Sequence, residues 1–213
     1  MSITVQKPYI SWIPEDSPDT SEIWGRETVF EDGTFSAVIA PSGRGKTTFI
    51  QLLYGLIREY SGSIYFGKTD YNSMDHYAWS ALRTSSIAVM FQDLRLFEDL
   101  SGIENIQIKN RLTSHFSHEE IIEKAGTLGI AGILQRKVST YSLGEKQRCA
   151  FLRTLCQPFK WILLDEPYSH VDEKNMKIMY RMLSENAEKN KAGIIASFLD
   201  SNPAGKCTRE YRL

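Results

Sequence analysis

From Thr34 onward the chain alternates short, almost wholly apolar runs with longer stretches whose apolar residues recur at helical spacing. The apolar runs at 34–40, 64–66, 87–91, 161–164 and 194–198 have the length and character of strands buried on both faces. Alternation of such runs with helical patterns predicts an α/β fold, a parallel sheet covered by helices. Between Gln92 and Tyr141 the texture changes. The stretch "SHEEIIEKAGTLGIAGILQR" places Ile121, Ile122, Ala125, Leu128 and Ile133 at helical spacing. Ser117 precedes it as an N-cap with Glu120 three residues on, the pattern of a capping box. This predicts a mostly helical insert, approximately residues 93–157, within the α/β core. A further helix is predicted after Ser142, and another from near Asp172 through "EKNMKIMYRMLSENAEKN". The polar, proline-broken "PEDSPDTSE" at 14–22 reads as a loop between early strands. No repeat, low-complexity tract or linker divides the chain, so residues 1–213 are expected to form one domain.

Composition narrows the class. A chain of 213 residues, 42% hydrophobic and 11% aromatic, can bury a full core. Its 25 Lys and Arg against 26 Asp and Glu leave a net charge of -1, a poor footprint for gripping a phosphate backbone, so nucleic acid is not an expected partner. Cys149, Cys156 and Cys207 are odd in number and lack CxxC spacing, which suits small reduced core residues of a cytosolic protein. The start "MSITVQKPYISW" has no basic region followed by an apolar stretch, and no apolar run approaches the roughly 18 residues of a membrane helix. The chain is therefore expected in the cytosol, docked where needed on a membrane protein.

Candidate chemistry enters at "FSAVIAPSGRGKTTFIQLL", which passes from strand through two glycines and a lysine into an amphipathic helix. The segment from Ala40 to Thr48 fits a phosphate-binding loop, with alanine in the first glycine position. Gly43 and Gly45 let the backbone curl so that successive amides, from Pro41-Ser42 through Arg44, face an anion at a helix N-terminus. Lys46 can reach the β- and γ-phosphates, and the Thr47 hydroxyl can take a place on Mg²⁺. Thr48 caps or packs beside them. The bland alternative is a glycine-rich turn. Downstream, "WILLDEP" is an apolar strand ending in two carboxylates, and strand ends of this kind reach the ligand-binding edge of an α/β sheet. There Asp165 can hold Mg²⁺ and Glu166 can polarise the water that attacks the γ-phosphate.

The order "APSGRGKTT", Gln92 after "IAVMF", "YSLGEKQR", "WILLDEP" and "YSHVD" resembles the nucleotide-binding domain of an ATP-binding cassette (ABC) protein over nearly the whole chain. The resemblance implies a P-loop NTPase core with a mainly parallel sheet, an N-terminal antiparallel β portion and an inserted α-helical subdomain. It implies ATP and Mg²⁺ as cofactors. It also implies a head-to-tail homodimer in which Ser142 and Gly144 of the "YSLGEKQR" signature face the γ-phosphate held by the other subunit. Gln92 resembles the glutamine that senses Mg²⁺ and attacking water, and Ser169 and Asp172 match the loop that crosses the dimer interface. Trp12, or alternatively Tyr9, is placed like the aromatic that stacks on adenine, with packing on the sheet as the structural alternative. The insert resembles those of small export- or lipoprotein-release-type cassettes, whose membrane-embedded transporter subunits are separate chains.

Departures from the family pattern bear on turnover. Leu143 stands where the signature usually has glycine, and Glu145 where it often has glutamine. Phe198 follows Ser197 where the switch histidine belongs, and no histidine follows His170. Phenylalanine cannot hydrogen-bond a γ-phosphate, so slow hydrolysis is expected. His170 reads as a polar surface or interface residue, and His76, His115 and His118 as solvent-facing. The chain ends soon afterwards, at "CTREYRL", so no accessory C-terminal domain is expected. The leading reading is the ATPase subunit of an ABC transporter. An ATP-binding regulatory module and a soluble non-transport ABC ATPase remain as alternatives, and the absence of an NKxD guanine reader disfavours a GTPase.

Overall fold

The computed structural model describes residues 1–13, 20–202 and 207–213. Two sheets divide the strands. β1 (Ile3–Tyr9), β2 (Glu27–Phe30), β4 (Ser61–Phe66) and β5 (Thr69–Asp70) form an antiparallel sheet in the order β2-β1-β4-β5. β3 (Phe35–Ile39), β6 (Ile87–Met90), β7 (Trp161–Asp165), β8 (Gly193–Phe198) and β9 (Arg209–Arg212) form a parallel sheet in the order β6-β7-β8-β3-β9. Its strands all run one way, so the residues that follow β3, β6, β7 and β8 emerge at one edge, where α/β folds bind ligands.

Side chains alternate across a strand, and β7 shows what that does to the core. Trp161 and Leu163 point into one cluster, with Ile3, Val5, Phe30 and Ile64 of the antiparallel sheet. Ile162 and Leu164 point into another, with Phe151, Leu155, Met179 and Leu183. The first cluster also takes up Phe49, Ile50, Leu52 and Leu53 of α1 (Lys46–Leu53). The helix that follows the phosphate loop is thereby clamped between the two sheets.

Residues 93–157 contain α3 (Gly102–Asn110), α4 (His118–Thr127) and α5 (Leu143–Leu155), and no strand, an isolated bridge between Ser101 and Lys137 apart. All three helices open with capping boxes, from Ser101 and Glu104, Ser117 and Glu120, and Ser142 and Glu145. In α4, Ile121 and Ala125 are buried, but Ile122 is exposed. One residue along a helix turns the side chain about 100°, out of the apolar stripe. The last helix, α6 (Glu173–Asn190), is capped by Asp172, whose side chain accepts from the Asn175 amide at 2.9 Å.

Several elements differ from the expectation. The run at 64–66 belongs to the antiparallel sheet, because β4 turns back at Gly67 (φ 61°) into β5 instead of feeding a crossover helix. α2 (His76–Ser85) was not predicted, since Trp79 is its one buried residue and leaves no apolar stripe to read. β9 buries only Tyr211, which suits the edge strand it is. Most of the expected loop at 14–22 lies outside the described residues. At its end Ser21 Oγ accepts from the Ile23 and Trp24 amides at 2.9 and 2.8 Å. Cys149 and Cys156 are buried and free, their thiols pushed up to about 12 by burial. Cys207 is half-buried and packs against the margin of the core. Among the described residues no helix is long and apolar enough to cross a membrane.

Candidate nucleotide-binding site

β3 delivers the chain at Ala40 into a loop whose curl depends on two left-handed residues, Gly43 (φ 81°) and Gly45 (φ 89°). Such backbone favours glycine, and at Gly45 a side chain would also crowd its neighbours. A Cβ there would stand 2.6 Å from Ile13 Cδ1. Gly45 ends the loop as the N-cap of α1 without a side-chain cap, so the helix's first amides remain available to an anion. Lys46, 4% exposed, curls back over the loop. Its ammonium donates to the carbonyls of Ala40 at 2.7 Å and Pro41 at 3.0 Å, and stands 3.4 Å from Glu166 Oε1.

A cavity of about 220 Å³ opens over this loop, lined by Ser42, Gly43, Gly45, Lys46, Thr47 and Thr48 together with Trp12, Ile13, Gln92 and Glu166. Trp12 is 59% exposed, and Tyr9, the alternative aromatic, is not part of the wall. Pro41 and Arg44 belong to the loop but do not line the cavity. Gln92, just beyond β6, bridges the two halves of the site. Its Oε1 accepts from Thr47 Oγ1 at 3.4 Å and its Nε2 donates to Glu166 Oε2 at 3.3 Å.

Asp165 and Glu166 close β7 beside β8, with Asp165 in register with Ser197. Asp165 is 1% exposed. Ser197 Oγ donates to its Oδ1 at 2.6 Å, while its Oδ2 is buried with no hydrogen-bond partner. Glu166 has left-handed backbone, φ 47°, which costs a non-glycine residue roughly 1–2 kcal/mol. Its amide donates to Ser197 Oγ at 3.1 Å and its carbonyl accepts from Gln147 Nε2 at 3.2 Å, which holds the conformation.

Ser142 and Gly144 are not brought to the cavity of their own chain. They start α5 beside the loop that follows Glu166, and a Cβ on Gly144 would meet the His170 carbonyl at 2.9 Å. Ser142 is occupied with Glu145. Its amide and hydroxyl donate to Glu145 Oε2 at 2.7 and 2.8 Å, and they hold that carboxyl below its usual range. Leu143 is 50% exposed and points outward. Gln147 is the residue that sequence reasoning missed. Its amide nitrogen also donates to the Pro167 carbonyl at 2.7 Å, and its Oε1 accepts from the His170 amide at 3.0 Å. It lay within the quoted "YSLGEKQR", but only its buried position separates it from the polar residues around it. Ser197 was quoted only as the residue before Phe198. Phe198 is 5% exposed and stacked on Tyr168 with ring centroids 6.2 Å apart, and it lines a cavity of about 200 Å³ together with Glu166 and Ser169.

A parallel sheet, a glycine-curled loop with an invaginated lysine, and two carboxylates at a neighbouring strand end define a P-loop nucleoside triphosphatase. Residues 27–169 match the family described as ABC transporter. The chain is 34% identical over 170 residues to the lipoprotein-releasing system ATP-binding protein LolD of Buchnera aphidicola subsp. Schizaphis graminum, covering 78% of this chain and 74% of that protein. It is 31% identical over 187 residues to LolD of Treponema denticola, covering 86% and 82%. It is 35% identical over 148 residues to the xylose/arabinose import ATP-binding protein XacJ of Haloferax volcanii, covering 68% of this chain but 37% of that protein. Among solved structures it resembles the dimeric ATP-binding cassette MJ0796 in a post-hydrolysis state bound to ADP and Pi, with a TM-score of 0.75 at 23% identity, over 94% of this chain and 88% of that one. The chain belongs to the ABC transporter family, a class of P-loop ATPases.

Proposed function

We propose that this chain is the ATP-binding and ATP-hydrolysing subunit of an ABC transporter, working as a nucleotide-sandwiched homodimer beneath separate membrane subunits at the cytoplasmic face. The observation that carries the reading is the convergence of Lys46, Thr47, Gln92 and Glu166 on one loop-lined cavity, with Asp165 buried behind them. The LolD and XacJ names, which describe ATP-binding proteins of a release system and an importer, support it. Residues 93–157 are assigned as the helical subdomain, the coupling surface toward the membrane.

The loop amides and the Lys46 ammonium bind the β- and γ-phosphates. To do so Lys46 exchanges its bonds to Ala40 and Pro41 for phosphate oxygens, a charge-assisted gain over neutral carbonyls. A Mg²⁺ ion fits the donor set. Thr47, Gln92 and Asp165 offer hard oxygen ligands, and the orphaned Asp165 Oδ2 is a buried acceptor in need of a partner. When bound, the ion supplies neutralisation of charge on the phosphate oxygens. Glu166 accepts a proton from the attacking water, and Gln92 holds the Glu166 carboxylate and the Thr47 hydroxyl in one arrangement. Ser142 and Gly144 complete the site of a second copy, and Trp12 stacks on the adenine.

Phe198 supplies no hydrogen-bond donor. Loss of one transition-state donor typically costs about 10²–10³ in turnover, so hydrolysis is slow and the ATP-bound dimer is long-lived. That same residue favours a second reading, an ATP-dependent regulatory module with negligible turnover. Light scattering of Glu166→Gln with Mg-ATP tests the proposal. A dimer that reverts to monomer on nucleotide removal is the expected result, and a monomer at saturating ATP contradicts it. Phosphate release by the wild type separates the two readings, and copurification with membrane subunits supports the first.

A further inference from the structure

Past the C-terminal end of α1 the structure holds a second cavity, of about 160 Å³, which shares no residue with the nucleotide site. Its lining includes Tyr60, Tyr71, Trp79, Met74, Asn72 and Arg58. The aromatic wall is rigidly built. Tyr71 and Trp79, 4% and 3% exposed, meet edge to face with centroids 4.8 Å apart. Gly55 is left-handed (φ 72°), and a Cβ there would fall 2.3 Å from the Trp79 ring, so glycine is what admits the indole. Arg83 lies 5.1 Å from the Trp79 centroid and donates to the carbonyls of Tyr54 at 3.1 Å and Gly55 at 2.8 Å.

Two phenols of this cavity lack a well-formed hydrogen bond. The hydroxyls of Tyr60 and Tyr71 are buried; that of Tyr71 has no hydrogen-bond partner, and that of Tyr60 has only the loosely placed Asn72 side chain beside it, an uncommon state for native side chains. Burial drives the Tyr71 phenol well above its ordinary range, and burial together with the nearby Asp70 charge pushes Tyr60 up to about 12, so both stay protonated and able to donate at neutral pH. Arg58, exposed at the rim, carries its guanidinium 6.0 Å from the Trp79 centroid. The neighbouring acid, Asp70, is engaged as an N-cap, accepting from the Asn72 amide at 2.9 Å. An apolar aromatic wall, two waiting donors and one cation therefore converge on a space of the size that holds a benzene ring, about 150 Å³.

We propose that this cavity is a binding site for a small aromatic carboxylate. The ring packs against Trp79 and Met74, the carboxylate accepts from the Tyr60 and Tyr71 hydroxyls, and Arg58 supplies the opposing charge. A neutral aromatic of the same size would leave both hydroxyls unpaired, so the charged acceptor is what the site selects.

Benzoate is the probe, followed through the Trp79 indole signal in NMR spectra of the intact protein. Saturable binding with a Kd on the order of 1 mM is expected, a reasonable strength for about nine non-hydrogen atoms. Tyr71→Phe and Arg58→Gln should each weaken it by about fivefold or more while ATP affinity stays unchanged, since neither residue lines the nucleotide cavity. Arg58 is exposed, so its variant remains informative if Tyr71→Phe folds poorly. Three outcomes overturn the proposal: no saturation at about ten times that concentration, equal affinity in Arg58→Gln, or a benzoate-soaked crystal whose cavity holds only water.

Discussion

Ser197 donates a 2.6 Å hydrogen bond to Asp165 across the β7–β8 ladder, with both residues essentially withdrawn from solvent. The same oxygen accepts from the Glu166 amide at 3.1 Å. One hydroxyl thus orients the carboxylate proposed for the metal and steadies the left-handed turn that presents the carboxylate proposed for catalysis.

Ser197→Ala removes both bonds without changing the side-chain volume much. It leaves a buried carboxyl group with neither oxygen paired, which costs about 1–3 kcal/mol. Urea denaturation should show that loss in the midpoint, and Mg-dependent ATP affinity should fall more than Mg-free affinity. An unchanged midpoint would mean that Asp165 is already satisfied by solvent.

Phe198→His asks the opposite question. Phe198 is stacked on Tyr168 and 5% exposed, so a histidine there loses apolar burial and should destabilise the fold by about 1–3 kcal/mol. If the missing donor is what limits turnover, steady-state phosphate release should nevertheless rise about tenfold or more. A less stable protein with unaltered turnover would show that another group already serves the γ-phosphate.

Gln147→Ala releases the loop after Glu166, whose carbonyls at Glu166 and Pro167 and amide at His170 it holds. Hydrolysis should fall about tenfold, the equivalent of about 1.4 kcal/mol of misplaced geometry. ATP affinity of the monomer should not move, because Gln147 is not part of the cavity wall. A matching drop in affinity would place its effect on folding instead.

Legibility in the sequence depended on the kind of signal. The β3–α1 junction was legible because glycine at positive φ and lysine at a helix start have few other reasons to coincide, and the helix after Ser117 because its cap and apolar stripe agree. α2 was not, since a helix with a single buried residue carries no periodicity. Gln147 and Ser197 act through hydrogen bonds to chain segments 19 and 32 positions away, a separation that no local pattern encodes. The aromatic cavity was equally hidden, because Tyr60, Tyr71 and Trp79 meet only once β4, β5 and α2 have packed beside Gly55.

The central claim is that the loop from Ala40 to Thr48 holds a triphosphate through its amides and Lys46. Equilibrium binding of Mg-ATP to the wild type and to Lys46→Ala, measured by calorimetry, tests it most directly. Saturable binding by the wild type and a loss of at least about tenfold in the variant, about 1.4 kcal/mol or more, is the expected result. Equal affinities, or no binding by the folded wild type, would contradict it.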